Sequence, residues 1–241
     1  MGFPLGILGA MSGPGFGLVK TSLLDYPGLV SAVVFTAGCN LRCPWCQNPG
    51  LVRAPWVEGL ISEAELLEFL RVRKPVLQGV VVTGGEPLAL PGLPALLGRM
   101  KSLGYKVKLD TNGTWPQRLA SLVPGLVDYL AFDLKNIPAD YPRSAGVPVD
   151  PGVLAATLDW MRRHKPSASE VRLTWVPGLN DFGRLDEYAA FVGPGLPVWA
   201  QAYRPGPVLD PTVVSTRAPT PGELGAVVNR LVELGIDARL R

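Results

Sequence analysis

Gly79-Val80-Val81-Val82-Thr83-Gly84-Gly85-Glu86-Pro87 is a run of β-branched apolar residues that stops at two glycines, a glutamate and a proline. Three consecutive valines cannot alternate between a dry face and a wet one. The strand they predict is therefore buried on both sides, as in a parallel sheet covered by helices. Working outward, similar short runs at residues 31–35, 106–110, 129–133, 171–176 and 198–203 predict five more strands beside 79–83. Helical patterns fill the gaps. Ser62-Glu63-Ala64-Glu65 reads as a capping box, and Thr220-Pro221-Gly222-Glu223 repeats it with proline at the first helical position. Asp150-Pro151 opens a helix with Val153, Leu154, Leu158 and Met161 on one face. Six strand–helix units in alternation predict an α/β fold with right-handed crossovers. The pattern alone leaves an open sheet and an incomplete barrel as alternatives.

Composition narrows the function. With 241 residues, 47% of them hydrophobic, the chain can bury a large core. Twenty-three basic and 20 acidic residues give a net charge of +3, with no clustered basic face of the kind that binds nucleic acid. Arg71, Arg73 and Lys74 read as a solvated helix end. No apolar stretch reaches the roughly 18 residues of a membrane span. The first 19 residues are apolar and glycine-rich without a basic leader, so residues 1–19 are expected to form a flexible tail, with Met11 an alternative start, and 20–241 a single domain. All three cysteines lie between positions 39 and 46. An odd, clustered set is not a disulfide framework; it fits a cytoplasmic protein that uses thiolates for a metal or redox site.

In either architecture the site forms where strands end. Gly38-Cys39-Asn40-Leu41-Arg42-Cys43-Pro44-Trp45-Cys46 follows the first predicted strand and Gly84-Gly85-Glu86-Pro87 the second. Asp110-Thr111-Asn112-Gly113 ends the third and Asp133-Leu134-Lys135 the fourth. Thiolates at C-x3-C-x2-C spacing favour iron–sulfur clusters, zinc or copper(I). A structural zinc site is usually closed by four protein ligands, and no fourth cysteine exists. The only histidine, His164, sits at a helix end and reads as a surface residue.

The loop Cys39–Cys46, with Trp45 before the last cysteine, resembles the signature of the radical S-adenosylmethionine superfamily, and Gly84-Gly85-Glu86-Pro87 resembles its GGEP stretch. The fuller likeness is to the activating enzymes of glycyl radical enzymes, those of anaerobic ribonucleoside-triphosphate reductase among them. It is carried by Thr21-Ser22-Leu23-Leu24-Asp25-Tyr26-Pro27-Gly28, Val33-Val34-Phe35, Cys46-Gln47-Asn48-Pro49, Leu109 to Gly113, Asp133-Leu134-Lys135 and Val176-Pro177-Gly178. Gln47 stands where many members have histidine.

The resemblance implies a partial (β/α)6 TIM-like barrel with outer helices. It implies a [4Fe-4S] cluster on Cys39, Cys43 and Cys46, with S-adenosylmethionine on the open iron. Glu86 would meet the methionine ammonium, with Gly84, Gly85 and Pro87 shaping that loop, and Trp45 would lie near the adenine. Asp110, Thr111, Asp133 and Lys135 would surround the methionine carboxylate, some relatives binding a monovalent cation there. Reductive cleavage of the cofactor would yield a radical that takes hydrogen from a glycine of a partner enzyme, with flavodoxin or ferredoxin as electron donor. Arg172 and Arg204 read as salt-bridged surface residues, and Asn112-Gly113 as a turn. The alternatives are a radical enzyme making a deazaguanine precursor, another protein-modifying activity, and a non-enzymatic metal-binding module. Gln47-Asn48 speaks against the deazaguanine reading, whose family usually places an Asp-Thr pair there for magnesium.

Overall fold

The computed structural model of the chain describes residues 15–53, 59–122, 125–164, 168–212 and 217–241. Eight strands form one sheet in chain order: β1 Phe16–Ser22, β2 Ser31–Thr36, β3 Gly79–Gly84, β4 Lys106–Thr111, β5 Tyr129–Asp133, β6 Ala168–Trp175, β7 Val198–Ala202 and β8 Ala238–Leu240. β1 is antiparallel to β2, and every later neighbour pair is parallel. The helices are α1 Pro49–Arg53, α2 Glu63–Arg73, α3 Leu93–Ser102, α4 Pro116–Leu122, α5 Tyr141–Ala145, α6 Pro151–His164, α7 Leu185–Val192 and α8 Pro221–Glu233. Ser62 and Thr220 cap α2 and α8 with complete capping boxes.

The six predicted strands are β2 to β7. Two strands were not foreseen. β1 corrects the expected tail, since residues 16–19 are strand: Phe16 is fully buried and exchanges backbone hydrogen bonds with Ile61 at 2.8 and 2.9 Å. The middle of β1 is exposed, so it shows no apolar alternation. Residues 1–14 of that tail lie outside the described residues. β8 is three residues long, too short to leave a pattern.

The sheet curls. Flat, eight strands would hold β1 and β8 about 34 Å apart, seven spacings of ~4.8 Å. Yet Arg241, just past β8, reaches the Leu24 carbonyl at 3.4 Å and the Asp25 carboxylate at 3.5 Å, just past β1. The outer face of the curl packs Val34, Val82, Leu109, Phe132 and Leu173 against helix residues such as Leu66, Leu97, Leu158 and Met161. On the inner face Val33, Val81 and Tyr129 cluster with Tyr26 from the β1–β2 turn. Tyr26 meets the Tyr129 ring edge-on at 5.8 Å. It also lies over Gly79, where a Cβ would come within 2.8 Å of the ring. Tyr26 thus plugs the floor and leaves the carboxyl rim as the working end. No helix among the described residues is long and apolar enough to cross a membrane.

The outer core depends on α3, which buries Leu93, Leu96, Leu97 and Met100. Leu97→Ala should cost ~2–5 kcal/mol of unfolding free energy in urea titrations; a loss under ~1 kcal/mol would mean that α3 is not packed as described.

Candidate active site at the carboxyl rim

The cysteine loop is clamped from four sides. Against the loop after β3, Gly85 N–H donates to the Thr36 carbonyl and Glu86 N–H to the Gly38 carbonyl, both at 2.8 Å. A Cβ on Gly85 would stand 2.0 Å from the Gly38 carbonyl oxygen, and one on Gly84 (φ +118°) 2.4 Å from the Thr36 nitrogen, so both positions need glycine. From the β4 end, the Asn112 side-chain amide donates to Asn40 Oδ1 at 2.9 Å, and Asn40 in turn donates to Thr114 Oγ1 at 2.8 Å. From α5, the Ala145 carbonyl accepts from Arg42 N–H at 2.8 Å and the Ser144 carbonyl from Trp45 Nε1 at 3.0 Å. From the segment after β7, Asp210 N–H donates to the Pro44 carbonyl at 2.9 Å, and the Arg204 carbonyl accepts from Gln47 Nε2 at 2.6 Å.

Within this clamp Cys43 is buried, while Cys39 and Cys46 are half-exposed. Burial pushes the Cys43 thiol up to about 12, against the pull of neighbouring Lys135, and raises Cys39 as well. Among the described residues no three His, Cys, Asp or Glu side chains are already gathered to hold a metal. The donor set nevertheless fits an iron–sulfur cluster: three soft thiols on one loop with a cation beside them. Ligation would displace their protons.

Glu86 is buried and caps the short 3-10 turn Pro87–Ala89. Its Oε1 accepts from Leu88 N–H at 3.0 Å and from the Thr111 hydroxyl at 2.8 Å; its Oε2 accepts from Asn112 N–H at 2.7 Å. Burial nevertheless pushes the carboxyl up to about 7, with those three donors pulling the other way. Such a group ionises readily when a cation arrives beside it.

Deeper in the curl, the inward positions of β4, β5 and β6 carry charges in alternation. Glu170 accepts from the Tyr129 hydroxyl at 2.6 Å and stands 3.7 Å from Lys108 Nζ. Lys108, itself fully buried, pairs with Asp110 Oδ1 at 2.5 Å. Arg172 forks between Asp110 Oδ2, with Nη1 at 2.8 Å, and Asp133 Oδ1, with Nε at 2.7 Å. Burial would raise both aspartates, but Arg172 and Lys108 hold Asp110 down to about 2, and Arg172 and Lys135 lower Asp133. Lys135 is half-buried at the top, its Nζ 5.0 Å from the centre of the Trp45 ring. Burial would lower its pKa, yet Cys43 and Asp133 raise it.

The structure thus gathers Cys39, Cys43, Cys46, Gly84, Gly85, Glu86, Pro87, Thr111, Asp133 and Lys135 at one rim. Asp110 lies beneath them, bound from within by Lys108 and Arg172. Trp45 packs in the core with its indole N–H engaged by the Ser144 carbonyl and Lys135 Nζ over its ring. Arg172 is not a surface residue: it is 7% exposed. Arg204 is exposed, and its backbone carbonyl makes the contact that matters. Asn112 is more than a turn residue, since it ties Glu86 to the cysteine loop. Lys108, Glu170 and the roles of Asn112 and Arg172 escaped the sequence reading. The signal for three of them was there: polar residues two apart, Lys108 with Asp110 and Glu170 with Arg172, inside strands otherwise apolar.

The profile of the Radical SAM superfamily matches residues 33–190. A protein of Methanocaldococcus jannaschii named for glycyl-radical enzyme activation is 35% identical over 125 residues, covering 49% of this chain and 49% of its own. The 7-carboxy-7-deazaguanine synthase of Haemophilus influenzae is 32% identical over 160 residues, 66% of this chain and 61% of that one. The chain thus spans about half the length of the first relative and under two thirds of the second. Among solved structures, QueE from Escherichia coli superposes with TM-score 0.54 at 16% identity, over 95% of this chain and 93% of that one. Streptococcus suis SuiB bound to S-adenosylmethionine superposes with TM-score 0.62 at 15% identity, over 84% of this chain and 48% of that one. These likenesses establish the partial barrel.

Removing Asp110 should expose the ion ladder. Asp110→Asn leaves Lys108 with only the more distant Glu170 and one arm of Arg172 uncompensated, at a cost of ~3–5 kcal/mol at pH 7. The folded pKa of Asp110 lies below its ordinary 3.8, so its share of stability is complete above that pH and is lost as pH falls through about 2. The gap between wild type and variant should therefore narrow over that interval in urea titrations at stepped pH. A constant gap would mean that the carboxylate is not ion-paired.

Proposed function

Because the chain belongs to the Radical SAM superfamily, whose members use a [4Fe-4S] cluster and S-adenosylmethionine, we propose that it activates a glycyl radical enzyme by taking hydrogen from a glycine of that partner. In this reading Cys39, Cys43 and Cys46 ligate the cluster. The clamped loop carries the argument: three soft thiols, a buried carboxylate and a half-buried ammonium share one rim of a barrel plugged at its floor. When bound and reduced, the cluster supplies the electron that breaks a carbon–sulfur bond of S-adenosylmethionine, giving methionine and a 5′-deoxyadenosyl radical.

The chain's own residues then bind, orient and exclude water. Three cysteines without a fourth would leave the cluster open to the cofactor. Glu86 receives the ammonium of the methionine end: its pKa near 7 is one that a neighbouring cation completes to a carboxylate, and Thr111 and Asn112 fix its direction. Lys135 offers a cation to the methionine carboxylate, and Asp133 and Trp45 hold it in place. Gly84, Gly85 and Pro87 keep backbone close to the ligand. The barrel mouth is left for the glycine loop of the partner, an anaerobic ribonucleoside-triphosphate reductase being the partner type favoured by the sequence motifs. The setting is the cytoplasm, where thiols stay reduced, with reduced flavodoxin or ferredoxin as the electron donor and a single domain doing the work.

A second reading is 7-carboxy-7-deazaguanine synthesis, favoured by the Haemophilus relative, which matches more of this chain than the archaeal one. Gln47 weighs against it. Gln47-Asn48 stands where that family usually places an Asp-Thr pair for magnesium, so no carboxylate is offered there, and the Gln47 amide is tied to the Arg204 carbonyl.

The anaerobically reconstituted protein, given reductant and S-adenosylmethionine, should form 5′-deoxyadenosine, and Cys43→Ala should form none. With a glycyl radical enzyme added, an organic-radical EPR signal that moves on α-deuteration of glycine should appear. Cofactor cleavage without that signal, together with formation of a 7-carboxy-7-deazaguanine product, would select the second reading. Full cleavage by Cys43→Ala would remove the cluster assignment.

A further inference from the structure

The resemblance that sets Asp110, Thr111 and Asp133 around the methionine end of the cofactor also brings a monovalent cation to them. Their arrangement here does not fit such an ion. Asp110 has both oxygens engaged, Oδ1 by Lys108 Nζ at 2.5 Å and Oδ2 by Arg172 Nη1 at 2.8 Å. Asp133 Oδ1 is taken by Arg172 Nε at 2.7 Å, and Thr111 gives its hydroxyl proton to Glu86 at 2.8 Å. Two carboxylates already face two organic cations, so an added Na⁺ or K⁺ would carry surplus positive charge into a buried place. It would also compete for the lone pairs of Asp110 and of Asp133 Oδ1, which charge-assisted hydrogen bonds hold.

Arg172 is fixed where it stands by backbone pairing. β6 sets it directly opposite Asp133 of β5, and β5 in turn sets Ala131 opposite Asp110 of β4. The guanidinium is thus delivered between the two carboxylates by strand register. Its planar fork suits two carboxylates at once, as a lysine would not. Only two of its five N–H groups are used in these bonds.

We infer that the Arg172 guanidinium takes the place of a monovalent cation beneath the methionine carboxylate, so that this protein binds S-adenosylmethionine without Na⁺ or K⁺. The inference rests on superfamily membership and on the cofactor's methionine end lying at Lys135; it does not depend on which substrate is attacked. Arg172 acts through Asp133 and Asp110 and is a positioning residue.

The test uses the reconstituted holoenzyme at one ionic strength, set with tetramethylammonium, sodium or potassium chloride. The Kd for S-adenosylmethionine is read from the change it causes in the EPR spectrum of the reduced cluster. Wild type should give the same Kd within about twofold in all three salts. Tightening of about tenfold or more by either alkali ion would overturn the inference. Arg172→Gln frees Asp110 Oδ2 and Asp133 Oδ1. It should weaken binding about 10- to 100-fold in tetramethylammonium and regain most of that loss in sodium or potassium. A folded Arg172→Gln protein that neither ion restores would make Arg172 a structural tie and would also overturn it. If circular dichroism shows that variant unfolded, the wild-type series decides alone. Formation of 5′-deoxyadenosine by wild type reports separately on the radical reading, so failure of that reading and failure of this inference are distinguishable.

Discussion

Two carboxylates from different strands share one guanidinium inside the barrel, and the rim above depends on it. Asp110 on β4 and Asp133 on β5 would repel each other if left alone in a poorly solvated interior. Arg172 on β6 removes that repulsion with two short bonds and ties three parallel strands together at the level where their loops begin. Below it, Lys108 and Glu170 continue the alternation of sign; above it comes Lys135. Each charge has an opposite neighbour, which is the condition on which buried ions are tolerated. A hydrophobic replacement of the whole set could stabilise the fold equally well, but it would not present an oriented carboxylate and an ammonium next to three thiols.

The second constraint is steric. The cysteine loop and the Gly84-Gly85-Glu86 loop lie so close that neither glycine has room for a Cβ. Backbone hydrogen bonds lace them together, and Asn112 carries the lacing on to β4 through Glu86 and Asn40. The chemistry-bearing side chains therefore stand on backbone that strand pairing has already fixed. A site assembled this way is oriented before any ligand arrives, which suits a reaction that must control a reactive radical.

Much of this was legible in the sequence, for a definable reason. The valine run of β3, the cysteine spacing and the double glycine express short-range geometry, which a few adjacent residues specify completely. β1 was not legible, because Phe16 is buried by pairing with Ile61 across a distance in sequence, while its neighbours look like solvated chain. Arg172 was visible but misplaced, since arginine is usually exposed and only its partners on two other strands reveal the burial. Asn112 looked like a turn because Asn-Gly usually is one. Trp45 shows the converse: its motif is local, while the Ser144 carbonyl and the core packing around its ring decide what it touches.

The strand order follows the chain order without exception. During synthesis, each new parallel strand emerges to find its neighbour already laid down. Arg172 comes 62 residues after Asp110 and 39 after Asp133. At about 5–20 residues per second, Asp110 waits roughly 3–12 s for its second cation. Until then Asp133 has Lys135 as its neighbouring cation and Asp110 has Lys108. Docking of β6 thus supplies the one cation that both carboxylates share and joins three strands in a single step.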